Sequence, residues 1–142
     1  MLFRSDEVRP AIDALQQAIA ADPDFAAPHA ELARAYVLLG FDEVMPQSDA
    51  YALAKREAQR ALQLNPDLPD AYTALADVSF YYEWDWVGAE ASYRQALALA
   101  PSDARARSQY ARMLSAAGRT AEASAEARAA ADPWPPRRRR RG

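Results

Sequence analysis

The segment Ala54-Lys55-Arg56-Glu57-Ala58-Gln59-Arg60-Ala61-Leu62-Gln63-Leu64-Asn65-Pro66 decides the fold. Ala54, Ala58 and Ala61 recur at offsets of four and three, which places them on one face of a helix. Small residues on that face let a second helix backbone come close. Pro66 cannot continue a helix and pushes Asn65 out of the α region. The same phrase stands twice more: Ala11, Leu15 and Ala18 precede Pro23, and Ala89, Tyr93 and Ala96 precede Pro101. A fourth copy begins at Ala123, Ala127 and Ala130, and its proline comes early, at Pro133. Each phrase predicts a helix that ends at a sharp stop.

A second helix is expected after each proline. Leu32, Ala33 and Tyr36 follow Pro23; Tyr72, Leu75 and Ala76 follow Pro66; Tyr110, Ala111 and Leu114 follow Pro101. These residues also recur at helical spacing. Asp24, Asp67 and Ser102 are the expected N-caps, with Asp85 and Thr120 capping the next helices. Gly40 and Gly118 stand where left-handed C-caps would end two of them. The expected helices are about 6–21, 25–39, 49–64, 69–82, 86–99, 103–117 and 120–131. The expected domain is 1–132, a first helix without an opening partner followed by repeats at about 25–64, 69–99 and 103–131. Residues 133–142, a Pro-Trp-Pro-Pro segment with five arginines and a glycine, are expected to form a disordered tail.

Composition agrees. Of 142 residues, 51% are hydrophobic, and 35 are alanine against four glycines. That bias favours closely packed helices. The absence of cysteine removes disulfides and thiolate chemistry, and one histidine cannot build a His-based metal cluster. No cofactor, metal or catalytic residue is expected. No apolar run reaches the roughly 18 residues of a membrane span, and a cytoplasmic, non-enzymatic protein is the expectation. The net charge is −3. Without Arg137 to Arg141, 12 basic residues face 20 acidic ones, a balance of −8.

The phrase resembles the tetratricopeptide repeat (TPR), whose period is about 34 residues. The proline spacings here are 43 and 35. The first implies an insertion between Gly40 and Ala50, as a longer loop or as an extension of the following helix. The second implies one extra residue near Glu83 to Val87. The bulky position that opens each repeat holds His29, Tyr72 and Arg107. Phe80-Tyr81-Tyr82-Glu83-Trp84-Asp85-Trp86-Val87-Gly88-Ala89-Glu90 resembles a stretch found in arrays C-terminal to bacterial winged-helix regulators, adenylate cyclases and Ser/Thr kinases. The resemblance implies an all-α right-handed superhelix and a detached regulatory module of a larger protein as one setting.

Such an array is expected to bind a protein or peptide in a concave groove lined by the opening helices. By repeat phase the groove residues are Arg34, Val37 and Leu38, then Asp70, Thr73, Asp77, Phe80 and Tyr81, then Arg105, Ser108 and Arg112. Asp77 argues against a C-terminal carboxylate clamp of the kind some TPR arrays use. The aromatic run from Phe80 to Trp86 is expected to fill a helix junction, and His29 to pack. Two rival readings accompany the groove. One is a homo-oligomer through exposed Ile12, Leu15 and Ile19 on the first helix. The other is nucleic-acid or anionic-surface binding by the Arg tail, disfavoured because five charges are a sequence-blind signal.

Overall fold

A computed structural model describes residues 5–131. Seven α-helices run α1 Ser5–Ala21, α2 Ala26–Phe41, α3 Gln47–Leu64, α4 Pro69–Val78, α5 Trp86–Leu99, α6 Ala104–Ala116 and α7 Thr120–Ala131. A π-helical turn, Ser79–Glu83, continues α4. The fold is all-α and TPR-like: α2 packs on α3, α4 on α5 and α6 on α7, with α1 leaning on α2. The expected tail and the early Pro133 lie outside the described residues.

The small-residue faces do what their spacing requires. Ala54, Ala58 and Ala61 of α3 are fully buried, as are Ala89, Tyr93 and Ala96 of α5. The outer copies are covered less. Ala11 is exposed and Ala18 half-buried on α1; Ala127 is exposed on α7, which buries only Ala123. Helix α1 instead packs through Val8 and Ile12, which join Leu32, Tyr36, Leu39 and Tyr51 in one cluster. Leu15 and Ile19 pack against that cluster half-buried. The three apolar residues expected to be exposed on the first helix therefore face the core.

The opening bulky position has one job done by three chemistries. Tyr72 Oη donates to the carbonyl of Pro66 at 3.1 Å, and Arg107 Nε to that of Pro101 at 2.8 Å. His29 Nε2 lies 3.4 Å from the Pro23 carbonyl, while Nδ1 meets Glu57 Oε2 at 2.7 Å. Each side chain reaches back six residues to a carbonyl that the proline stop leaves without a helical donor.

The helix starts differ from the expected caps. Phe25 and Leu68 occupy the N-cap positions of α2 and α4, without side-chain bonds. The polar work is done before the proline: Asp22 Oδ1 accepts from the amide of Asp24, and Asn65 Oδ1 from that of Asp67. These are Asx turns. The third proline follows Ala100, which has no such side chain. There Asp103, not Ser102, is the cap, accepting from Ala106 N at 3.1 Å. Asp85 caps α5 as expected, accepting from Gly88 N at 2.9 Å.

Gly118 ends α6 in the left-handed region at φ +77°. Gly40 does not cap. It lies inside α2, where an added Cβ would stand 3.0 Å from Ala50 Cβ and from the Tyr51 ring. The insertion after it is shared out: α2 runs on to Phe41, and α3 starts early at Gln47. The single extra residue of the second repeat is absorbed by the π turn, where the helix widens by one residue. Trp84 closes that turn in the left-handed region at φ 55°.

Candidate peptide groove

The opening helices line a concavity of about 250 Å³. Helix α2 supplies Arg34, Val37, Leu38 and Phe41, and the following loop Asp42. Asp77 comes from α4 and Tyr81 from the π turn; Arg105, Gln109 and Arg112 come from α6. Helical period explains the set. Arg34, Leu38 and Phe41 lie one turn apart, as do Arg105, Gln109 and Arg112. The walls are mixed: Val37, Leu38 and the ring edges are apolar, and three guanidinium groups surround the floor.

Asp77 is that floor. Its side chain is 0% exposed. Tyr93 Oη donates to Oδ1 at 2.5 Å, while Oδ2 accepts no hydrogen bond. Arg105 Nη2 stands 3.7 Å from Oδ2, a loose ion pair. Burial pushes this carboxyl up to about 6, against the Tyr93 bond and the Arg105 charge that favour the ionised form. Burial also raises the Tyr93 and Tyr81 phenols. Arg112 Nη1 donates to Tyr81 Oη at 3.1 Å.

Five arginines outside the groove are engaged by carboxylates. Arg56, Arg60, Arg94, Arg107 and Arg119 each lie within 4 Å of a carboxylate of Asp or Glu. Arg34 has no ion pair or hydrogen bond among the described residues. Burial lowers its affinity for a proton, and the like charge of Arg105 lowers it further, against the pull of Asp70 and Glu31. A partly dehydrated guanidinium without a partner is costly unless an anion reaches it.

Seven of the eleven sequence-derived groove residues meet at this concavity: Arg34, Val37, Leu38, Asp77, Tyr81, Arg105 and Arg112. Four do not. Thr73 is buried, its hydroxyl donating to the Pro69 carbonyl one turn back. Phe80 turns the other way, packing against Trp86 and the C-terminal cluster. Asp70 is exposed and acts on Arg34 through its charge. Ser108 lines a shallower surface between α6 and α7. Phe41, Asp42 and Gln109 were missed. Gln109 sits one helical turn from both Arg105 and Arg112, so the period alone could have found it; Phe41 needed the longer α2.

The aromatic run divides. Phe80, Tyr81 and Trp86 pack together, and Tyr82 stacks on Tyr51 at 5.3 Å. Trp84 and Val87 remain 75% and 85% exposed. No helix among the described residues is long and apolar enough to cross a membrane.

No protein-family model matches the chain, and no curated protein matches it in sequence. Solved structures do. The crystal structure of TTC0263, a thermophilic TPR protein in Thermus thermophilus, is 26% identical with a TM-score of 0.77. The match covers 90% of this chain and 66% of that one, so this chain spans about two thirds of that protein's length. A crystal structure of MamA is 20% identical with a TM-score of 0.53, covering 92% of this chain and 95% of its own. MamA MSR-1 C2 is 22% identical with a TM-score of 0.57, over 87% of this chain and 66% of its own. The chain has the fold of tetratricopeptide-repeat proteins.

Proposed function

We propose that this chain is a non-catalytic scaffold that binds a protein or peptide segment along the groove formed by α2, α4 and α6. The observation that carries the reading is the convergence of Arg34, Arg105 and Arg112, from two different repeats, on one concavity with apolar walls. Helix pairs hold these side chains on a rigid curved surface, which suits an extended ligand with apolar anchors and charge. Arg34 has no ion pair or hydrogen bond among the described residues, and Arg105 and Arg112 are held only by Asp77 at 3.7 Å and by the Tyr81 hydroxyl, so all three are available to a ligand. A setting beside a winged-helix, cyclase or kinase domain is what the resemblance of the Phe80–Glu90 stretch implies.

Peptides selected by phage display on the full chain test the reading. Synthetic copies of the enriched peptides should bind with micromolar affinity by calorimetry. The Arg34→Ala, Arg105→Ala double variant should keep its helical circular dichroism and lose at least tenfold in affinity. Equal binding to the double variant, or no enrichment over a blank surface, overturns the groove reading.

A further inference from the structure

Asp77 is the one fully buried acid among the described residues. It lies at the base of the groove near Arg105 and Arg112, with one oxygen held by Tyr93 and the other without a hydrogen bond. The Tyr93 hydroxyl needs an acceptor there, but not a charged one. A neutral amide or hydroxyl side chain could accept from Tyr93 without the cost of burying a charge. What the carboxylate does is counter part of the positive field at the centre of the groove.

The groups facing it come from every neighbouring element. Arg34 reaches in from α2, and Asp42 lines the same space from the α2–α3 loop. Tyr51 of α3 feels the Asp77 charge, which helps burial raise its phenol to about 12. Tyr93 of α5 donates the hydrogen bond. Tyr81 of the π turn and Arg105 and Arg112 of α6 complete the ring. A ligand carboxylate entering the ring would meet three guanidinium groups and one buried carboxylate of its own sign. Two carboxylates that share one set of cations do not both stay ionised easily. The repulsion is relieved if Asp77 takes a proton as the ligand arrives. A protonated Asp77 still accepts from Tyr93.

We propose that the groove is a proton-coupled seat for an acidic peptide segment. A Glu or Asp side chain of the partner pairs with Arg34, Arg105 and Arg112, and Asp77 takes up a proton as it does so. This rests on the groove reading above and names the ligand chemistry of the same site. It also removes the objection that Asp77 repels carboxylates, because the repelling charge is the one that binding neutralises. Burial has already brought Asp77 near the range where a modest push protonates it at neutral pH.

Calorimetry on the full chain tests it, using an acetylated and amidated peptide with several glutamates and apolar flanks, and its glutamine counterpart. The glutamate peptide should bind roughly tenfold tighter at pH 5.5 than at pH 7.5, one unit of induced shift being tenfold in affinity. Its heat should depend on the buffer's ionisation enthalpy in the sense of proton uptake. Asp77→Asn should bind it equally at both pH values. Arg34→Ala with Arg105→Ala should lose it at both. Should Asp77→Asn fail to fold, carboxyl NMR of the unaltered chain gives the same answer, since the Asp77 resonance should titrate at higher pH with peptide bound.

Binding without proton uptake or pH dependence overturns the inference, as does equal binding of the glutamine peptide. Absence of glutamate-peptide binding at millimolar concentration overturns it too. If phage-selected neutral peptides still require Arg34, the groove reading stands while this one falls. A single-stranded oligonucleotide that binds with the same arginine dependence, where the peptide does not, would give the seat to phosphate and overturn it.

Discussion

The first and last helix pairs share a fold but differ in how much of the closing helix is buried. In α2–α3, eleven of the 16 residues of α2 are buried. Leu32, Tyr36, Leu39, Tyr51 and Val78 join Val8 and Ile12 of α1 in one apolar cluster. In α6–α7, α6 buries Tyr110, Met113 and Leu114, but the closing helix adds only Ala123, where α3 buries Tyr51 and four alanines. That end is fastened by Arg107 to Glu126 at 2.7 Å, Arg119 to Glu122 at 2.6 Å, and Arg119 to Glu90 at 2.7 Å. Tyr110 adds a bond to Glu90 at 2.8 Å. Burial of a large apolar side chain contributes about 1.5–3 kcal/mol. A partly exposed ion pair contributes under about 1 kcal/mol. Stability in a stacked array is a sum over neighbours, so it should fall from the first pair toward the last.

The sharpest break in that contrast is Tyr51→Ala. Tyr51 is almost fully buried and stacks on Tyr82. The truncation should cost about 3–5 kcal/mol in denaturant unfolding. A loss under about 1 kcal/mol would mean that the first pair is not the apolar anchor described here.

Glu90→Gln attacks the other end. Glu90 accepts from Arg119 and Tyr110 and pairs with Arg94, and these bonds hold its carboxyl down to about 2. Its removal should cost about 1.5–3 kcal/mol, the range for hydrogen bonds to a charged group. Hydrogen exchange should then quicken in α6 and α7 before α2 and α3. Uniform quickening along the chain would erase the proposed gradient.

Acid should act on the two carboxyls in opposite directions. The Asp77 value is raised from 3.8 to about 6. Its contribution is therefore full below about 3.8 and lost as pH rises through 6. Glu90 stabilises above 4.5 and loses that contribution as pH falls toward about 2. Between pH 7.5 and 5 only the Asp77 effect changes, so acidification should stabilise by on the order of 1 kcal/mol. Thermal melts at the two pH values check this, and Asp77→Asn should flatten the difference.

The smallest effect separates true caps from apparent ones. Asp103→Ala should cost about 1 kcal/mol. Ser102→Ala, at the cap position the sequence suggested, should change stability by less than about 0.5 kcal/mol. Equal costs would return the cap to Ser102.

How much was legible follows from the range of each interaction. The Ala-x3-apolar-x2-Ala-x4-Pro phrase and the helical spacing after each proline are local, and together they located all seven helices because helical period and the proline stop need no distant partner. Cap positions depend on one or two residues of backbone placement, and three of the expected caps shifted. Gly40 looked like a C-cap because its role depends on Tyr51 in another helix. The groove was legible where a residue's direction follows from helix phase, as for Arg34, Asp77, Arg105 and Arg112. It failed where packing overrides phase, as for Phe80. Burial of Asp77 could not be read, since charge on an opening helix usually signals solvent.

His29, Tyr72 and Arg107 share little in size, charge or hydrophobicity, yet each reaches the carbonyl of its own proline. A consensus written in side-chain types counts His29 and Arg107 as departures. Written as a vector, with a reach, a direction and a polar tip, the three repeats are alike at that position. Divergence there is free to change charge and size while geometry stays fixed, so the array can vary its surface without altering its curvature.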